Sequence, residues 1–453
     1  MTQEKKKLFI KTWGCQMNVY DSNRMADILS PLGYEPTQEA KDADMVILNT
    51  CHIREKATDK VFSDLGRMRN HKNKRRKQGK ETVIAVAGCV AQAEGDLIRE
   101  RAPYVDMIFG PQTYHELPEM IVNLTGERIV NTEMSADSKF DNLPLDHVNP
   151  GVAPFVSIQE GCDKFCTFCV VPYTRGPEFS RRSSDIIEEI KRVAGQGARE
   201  VTLLGQNVNA YHGEASDGTT WSLGRLIQEV AKIDGIERIR YTTSHPRDVD
   251  DELIEAHGTV KQLMPFLHLP VQSGSDKLLK TMNRKHTADF YREIIEKFRK
   301  AQPDIAFSSD FIVGFPGETD EDFEATMQLV RDVFYAQCFS FKYSARPGTP
   351  AANMQGLIAE KVKDERLQRL QELLNQQRIE FNDNTVGKIV PVLFDGLGNR
   401  ESQLHGRTPW NQAVHVHVNP RLMGQIIDVR ITGHQFNALI GEAVTVDDVV
   451  FSA

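Results

Sequence analysis

The sequence predicts an α/β protein in three parts: an N-terminal parallel α/β domain, a central partial (βα)6 barrel and a β-rich tail. Three observations predict it. Strand-like and helix-like runs alternate through the first third of the chain. They alternate again from residue 152, this time through six strands. After a long helical pattern from Ala359 to Phe381, strand patterns dominate. Alternation of the two periodicities argues for parallel sheets covered by helices.

The 453 residues suffice for about three domains, expected at 1–125, 148–380 and 381–447. Hydrophobic residues make up 40% and charged residues 26%, an ordinary globular balance. No apolar run approaches the ~18 residues of a membrane span. The start, Met-Thr-Gln-Glu-Lys-Lys-Lys, lacks a signal peptide's apolar core. A cytoplasmic monomer with no membrane partner is therefore expected. In a reducing compartment, an odd total of seven Cys reads as metal ligation.

In the first part, Lys7–Gly14, Ala43–Thr50 and Thr82–Gly88 read as strands, and each is followed by a cysteine: Cys15, Cys51 and Cys89. Helical patterns cover Ser22–Pro31, Lys56–Arg69 and Ala91–Arg101. Parallel sheets bind ligands at the carboxyl ends of their strands. Three thiols at three such ends are expected to share one metal site, one ligand short of closure; three unrelated buried thiols are the plainer reading. Between Arg67 and Lys80 lie eight cations and no acidic residue. Such a run is expected as a solvated, mobile loop, or as an arm that attracts phosphates.

In the middle part, strands are expected at Val152–Gln159, Glu200–Gly205, Glu237–Thr242, Pro265–Val271, Ala306–Gly314 and Ala336–Tyr343. Six strands suggest an open barrel with its chemistry at the C-terminal mouth. The loop after the first strand carries Cys162, Cys166 and Cys169. Soft thiolates select iron–sulfur clusters or zinc, and three of them leave one iron of a cubane open. Structural zinc needs a fourth ligand, and His147 and His212 lie outside the loop. A disulfide leaves one thiol over. Other strand ends of the mouth supply Gln206, Asn207, Ser244, Gln272, Ser273 and Asp310, candidate contacts for a polar small molecule; turn geometry alone also favours such residues there. Phe168, beside the ligands, packs either on an adenine or in the core. Cys338 lies within the sixth strand as a packed thiol.

The Cys162/Cys166/Cys169 spacing resembles the signature of radical S-adenosylmethionine enzymes. Within them, the chain is similar to the methylthiotransferases through Thr12–Asp21, Asn49–Ala57, Ala87–Gln92, Leu203–Asn209 and Leu269–Ser275. The tail, with Gly406–Asn411 and Gly424–Ile431, is similar to the small β-barrel called the TRAM domain. The resemblance implies two [4Fe-4S] clusters. One, on Cys162, Cys166 and Cys169, binds S-adenosylmethionine and generates a 5′-deoxyadenosyl radical. The auxiliary cluster, on Cys15, Cys51 and Cys89, holds the sulfur that a second S-adenosylmethionine methylates. The strings Gly14-Cys-Gln-Met-Asn18 and Asn49-Thr-Cys51 look like those of the tRNA-2-methylthio-N6-dimethylallyladenosine synthases. The implied activity is methylthiolation at C2 of N6-(dimethylallyl)adenosine beside the tRNA anticodon. The implied partners are that tRNA, an electron donor and a sulfur source. Two alternatives stay open: methylthiolation of an aspartyl residue of a ribosomal protein, and a non-enzymatic iron–sulfur redox sensor. The stretch from Asn382 to Ala453 is not basic, which shifts the expected phosphate attraction toward Arg67–Lys80.

Overall fold

The computed structural model describes residues 5–51, 57–134, 139–144, 146–398, 400–435 and 437–444. The chain forms two compact units. One comprises Met1–Asn149, Gln159–Asp163 and Cys169–Arg181; the other comprises Pro150–Ile158, Lys164–Phe168 and Arg182–Ala453.

The first unit is a six-stranded parallel sheet. Its strands are β1 (Lys6–Thr12), β2 (Tyr34–Pro36), β3 (Met45–Thr50), β4 (Val83–Gly88), β5 (Met107–Phe109) and β6 (Ile129–Asn131), in the order β2-β1-β3-β4-β5-β6. Every residue of β3 is buried, as a central parallel strand covered on both faces requires. Alternate side chains leave opposite faces. Met45, Ile47, Ala85 and Ala87 pack with Met25, Ile28 and Leu29 of helix α1 (Gln16–Leu29). Val46, Leu48, Ile84 and Val86 pack with Val61 and Leu65 of α2 (Ala57–Arg76) and Ile98 of α3 (Cys89–Arg101).

Three expectations for this unit need correction. Helix α1 begins at Gln16, directly after Cys15, because its first two turns bury the polar residues Asn18, Asp21 and Ser22, which carry no apolar period. Strands β2, β5 and β6, three residues each, give too short a pattern to read. The run Arg67–Lys80 is helical through Arg76 instead of a loop. Lys72 lies 2.6 Å from Asp106, and buried Arg75 holds Asp44 at 2.5 Å and donates to Thr82 Oγ1 at 2.8 Å. Of the run's cations, Arg67, Arg69, Lys74, Arg76, Lys77 and Lys80 are exposed.

The second unit is built on six parallel strands: β7 (Phe155–Ser157), β8 (Glu200–Leu204), β9 (Arg238–Tyr241), β10 (Phe266–His268), β11 (Ala306–Val313) and β12 (Gln337–Lys342). They bond as β9-β8-β7 and β10-β11-β12, joined by a parallel bridge between Ile239 and Leu263. No pairing of β7 with β12 occurs among the described residues, so the barrel is open. Helices Leu223–Val230, Asp251–Thr259, Ala288–Ala301 and Asp320–Val333 follow the strands. Each starts at a side-chain cap, from Ser222, Asp250, Thr287 and Thr319 in turn, which satisfies a backbone N–H that the first turn leaves open.

After helix Glu360–Asp383 comes a closed five-stranded barrel: β13 (Ile389–Leu397), β14 (Gln403–Arg407), β15 (Ala413–His417), β16 (Ile426–Gln435) and β17 (Ala438–Ala443), in the order β13-β14-β15-β17-β16. Val390, Val392, Phe394, Val414, Val416, Val429 and Ile431 alternate inward to form its core. The string Gly406–Asn411 fastens it to the larger barrel. Arg240 of β9 donates to the carbonyls of Thr408 and Pro409 at 2.8 and 2.9 Å, and Trp410 Nε1 donates to the Asp304 carbonyl at 2.8 Å.

Candidate active site

The first site lies at the strand ends of the first unit. Register places Thr12 beside Asn49 and Thr50 beside Gly88, so β1, β3 and β4 end level. Cys15 is the N-cap of α1, Cys51 follows β3, and Cys89 opens α3. Two glycines allow this convergence. Gly14 has φ +128°, and a Cβ on it would fall 2.2 Å from Cys51 Cβ. Gly88 has φ +87°, and a Cβ there would fall 2.4 Å from Asn49 Oδ1.

Buried amides hold the site from behind. Cys15 Sγ donates to Asn18 Oδ1 at 3.1 Å. Asn49 Nδ2 donates to the Asn18 carbonyl at 2.8 Å and to Ser22 Oγ at 2.9 Å. A hydrogen bond with Cys51 brings the Cys15 thiol down to about 6, against the opposing effect of burial and with help from the Arg175 charge. Burial pushes the Cys89 thiol up, and Arg175 opposes it.

Arg175 escaped the reading of the sequence. It ends a short helix, Val171–Arg175, after the second cysteine cluster in the chain. Fully buried, it donates to Glu160 Oε1 and Asp21 Oδ2, both at 2.6 Å, and Lys139 meets Glu160 at 2.7 Å. Two cations and two carboxylates thus close a buried network beside the triad.

The loop after β7 carries the second triad. Cys162 and Cys169 belong to the first unit, and Cys166 to the second. In the first unit, Cys162 N donates to the Gly176 carbonyl at 3.3 Å, and a Cβ on Gly161 would strike the Pro177 carbonyl oxygen at 1.8 Å. In the second unit, Phe165 takes φ +47°. Asn283 Nδ2 donates to the carbonyls of Lys164 and Phe165 at 3.1 and 3.0 Å, and Thr167 N donates to the Met282 carbonyl at 3.1 Å. Buried Cys166 faces Arg284, whose Nη1 is 3.5 Å from its Sγ. The zinc candidate His147 sits elsewhere, 3.4 Å from Asp27.

Of the other candidate contacts, Gln206, Asn207, Ser244, Gln272 and Ser273 follow strand ends of the second unit, while Asp310 lies within β11. Asn207 Nδ2 donates to Asp248 Oδ2 at 2.8 Å, and Asp248 also binds Lys164 at 2.7 Å. Gln206, beside Asn207, is half-buried. Ser244 follows Thr243, a β-branched residue at φ +71°, a strained conformation that clusters at functional sites. The Ser244 hydroxyl is buried with no hydrogen-bond partner among the described residues. Its neighbour His245 accepts the Arg247 N–H at Nδ1, which places its ring proton on Nε2, also buried and unpartnered. Burial, with Arg284 and His286 nearby, lowers the His245 pKa and keeps the ring neutral. Gln272, at φ +78°, exchanges backbone hydrogen bonds with β11. Ser273 turns its hydroxyl inward to Thr326 at 3.2 Å and to the Ser275 N–H. Asp310 Oδ2 lies 3.7 Å from His268 Nε2. Phe168 packs with Leu278, Met282, Phe315 and Tyr343. Cys338, on β12, packs on the barrel core, and burial pushes its thiol well up.

Among the described residues, no three His, Cys, Asp or Glu side chains are drawn together as ligands of a single ion. Three thiolates are a donor set that leaves one iron of a four-iron group open. The unpartnered Ser244 and His245 atoms suit a polar small molecule at the same mouth.

Three family models match the chain: the uncharacterized protein family UPF0004 over residues 7–110, the radical SAM superfamily over 156–330 and the TRAM domain over 383–444. Among solved structures, the cobalamin-dependent S-adenosylmethionine radical enzyme OxsB matches with a TM-score of 0.54 and 13% identity, over 82% of this chain and 56% of that one. The chain thus spans little more than half the length of that protein. The radical S-adenosylmethionine methyltransferase TsrM from Kitasatospora setae matches with a TM-score of 0.55 and 12% identity, over 77% of each chain. At such identities the likeness is one of fold. No described helix is long and apolar enough to cross a membrane. With the UPF0004, radical SAM and TRAM models in this order, the chain has the three-part architecture of the radical S-adenosylmethionine methylthiotransferases.

Proposed function

We propose that the protein methylthiolates C2 of N6-(dimethylallyl)adenosine beside the anticodon of tRNA. The observation that carries this reading is the pair of separate cysteine triads on one chain. The string Gly14-Cys-Gln-Met-Asn18 points to RNA over a ribosomal protein, and the TRAM domain supports an RNA partner. The net change breaks the C2–H bond, its hydrogen leaving in the 5′-deoxyadenosine formed from one S-adenosylmethionine, and forms a C2–S bond to a sulfur whose methyl group comes from a second. When bound, [4Fe-4S] clusters on the two triads supply the electron that cleaves S-adenosylmethionine and a seat for the sulfur to be transferred.

The chain's own residues position and insulate. Gly14 and Gly88 let backbone pass close enough to gather Cys15, Cys51 and Cys89. Asn18 and Asn49 fix the Cys15 side chain, while the Arg175 cation offsets thiolate charge in a buried place. Asn283 and Met282 pin the loop around Cys166. Ser244 and His245 offer a hydroxyl and a neutral N–H to the polar part of S-adenosylmethionine. A loop base is a suitable target because a single-stranded nucleotide can be splayed into a pocket.

The test is to incubate reduced, iron-replete protein with S-adenosylmethionine and isopentenylated tRNA, then digest and weigh the nucleosides. A methylthio gain on the modified adenosine is expected. A gain on ribosomal peptides instead would favour the protein substrate, and no 5′-deoxyadenosine at all would favour the sensor.

A further inference from the structure

Most buried arginines of this chain face a carboxylate. Arg175 binds Asp21 and Glu160, Arg240 binds Glu200, Arg366 binds Glu318, and Arg24 binds Asp27. Arg284 does not. It is 5% exposed, and among the described residues no carboxylate lies within ion-pairing distance. Its Nη2 donates to the Pro270 carbonyl, its Nε has no partner, and its Nη1 points at Cys166 Sγ, 3.5 Å away. An unpaired buried charge is costly unless something of opposite sign meets it.

The backbone is bent to put this cation where it is. Asn283 and Lys285, on either side, both take left-handed φ values, +61° and +60°. Such strain persists only where the surroundings over-determine it. The same turn clamps the cysteine loop through Asn283, as described above. The neighbouring rings add no positive charge: burial and the Arg284 charge hold His286 down at about 4, and His245 is neutral.

We propose that Arg284 is the positioning cation of the cluster on Cys162, Cys166 and Cys169, donating to the Cys166 sulfur and raising the cluster's reduction potential. This rests on Cys166 being a ligand of that cluster. The thiolate-bound cluster is anionic and gains a further negative charge on reduction. A guanidinium against one of its sulfurs therefore favours the reduced form, since net charge and hydrogen bonds to sulfur set such potentials.

The experiment uses full-length protein with Cys15, Cys51 and Cys89 changed to Ala, so that a single cluster titrates. Iron and sulfide content and an EPR-monitored reductive titration are measured for this parent and for Arg284→Lys and Arg284→Gln in it. Arg284→Gln is expected to cut the reduced-to-oxidised ratio at fixed potential about tenfold, a fall of ~59 mV for one electron. Arg284→Lys, which keeps the charge, should move the ratio less than about threefold. A fully loaded Arg284→Gln protein with an unmoved midpoint overturns the assignment. Should that variant fail to hold iron, the parent and Arg284→Lys decide: labelled arginine nitrogen should show hyperfine coupling to the reduced cluster in the parent, lost in Arg284→Lys, and no coupling in the parent overturns the assignment. A parent without iron overturns the cluster reading, and this assignment with it.

Discussion

Asn18 and Asn49 close a buried amide pair behind Cys15. Asn18 Nδ2 donates to Asn49 Oδ1 at 3.1 Å, and Asn49 Nδ2 returns to the Asn18 carbonyl at 2.8 Å. The pair ties the first turn of α1 to the end of β3, and so ties one thiol to the strand that presents the next. Replacing Asn49 by Ala leaves buried donors and acceptors unmatched, at about 1–3 kcal/mol for each group left open. Asn49→Ala is expected to unfold earlier in denaturant and to lose iron from the Cys15 triad. Full iron content in a destabilised variant would limit the pair to a structural role.

Gly14→Ala tests convergence more sharply. The added methyl meets Cys51 Cβ at 2.2 Å on a backbone at φ +128°, so something must move. The variant should still make 5′-deoxyadenosine from S-adenosylmethionine but yield no methylthio product. Product at the parent rate would contradict the placement of the auxiliary site.

Arg175 is expected to matter for stability as well as for the triad. Removing it leaves Asp21 and Glu160 buried with Lys139 as their remaining cation. Breaking a buried network in this way costs about 3–5 kcal/mol. Arg175→Met should lower the unfolding midpoint accordingly, and adding Asp21→Asn should recover part of the loss. Additive effects of the two changes would argue that the pair does not interact.

Acid should weaken the second unit through its buried histidines. Burial lowers the His257 pKa to about 3, and burial with the Arg284 charge lowers His286 to about 4. An unfolded imidazole titrates near 6.5. Between those values the unfolded chain binds more protons, so stability is complete above pH ~6.5 and is lost as pH falls toward 4 and then 3. Each histidine contributes up to about 1.4 kcal/mol per pH unit. Urea unfolding at pH 7 and pH 5 should show a slope that His257→Gln reduces by one proton; an unchanged slope would refute this cause.

The basic stretch divides into two groups with different expected effects. Neutralising exposed Lys74, Arg76, Lys77 and Lys80 should leave folding intact and weaken tRNA binding. The salt slope should fall by about 0.7–0.9 for each phosphate that these side chains no longer neutralise. Arg75→Ala should instead destabilise the fold, because its guanidinium joins Asp44, Thr82 and the Asp42 carbonyl. Equal tRNA binding and salt slope after the surface changes would remove this helix from the RNA-binding surface.

The sequence disclosed whatever carries a period. The run Ala43–Thr50 read as a strand, and Met45–Thr50 forms one, buried throughout. The six cysteines stood out by type and spacing. What stayed hidden depends on partners distant along the chain. The helix through Arg76 reads as a loop until Asp44 and Asp106 are brought to Arg75 and Lys72. Helix α1 starts earlier than its apolar pattern because Asn18, Asp21 and Ser22 are buried for the sake of the thiol site. Arg284 looks like an ordinary surface cation of the string Met282-Asn-Arg-Lys-His286, and its sulfur partner lies 118 residues before it.

The central claim is that one chain holds two separate clusters, each on three thiols. Counting clusters by Mössbauer and EPR spectroscopy in anaerobically purified protein tests it most directly. The parent should hold two [4Fe-4S] clusters, and replacing either Cys15, Cys51 and Cys89 or Cys162, Cys166 and Cys169 by Ala should leave one. A parent with a single cluster, or a triple variant that keeps both, would contradict the account.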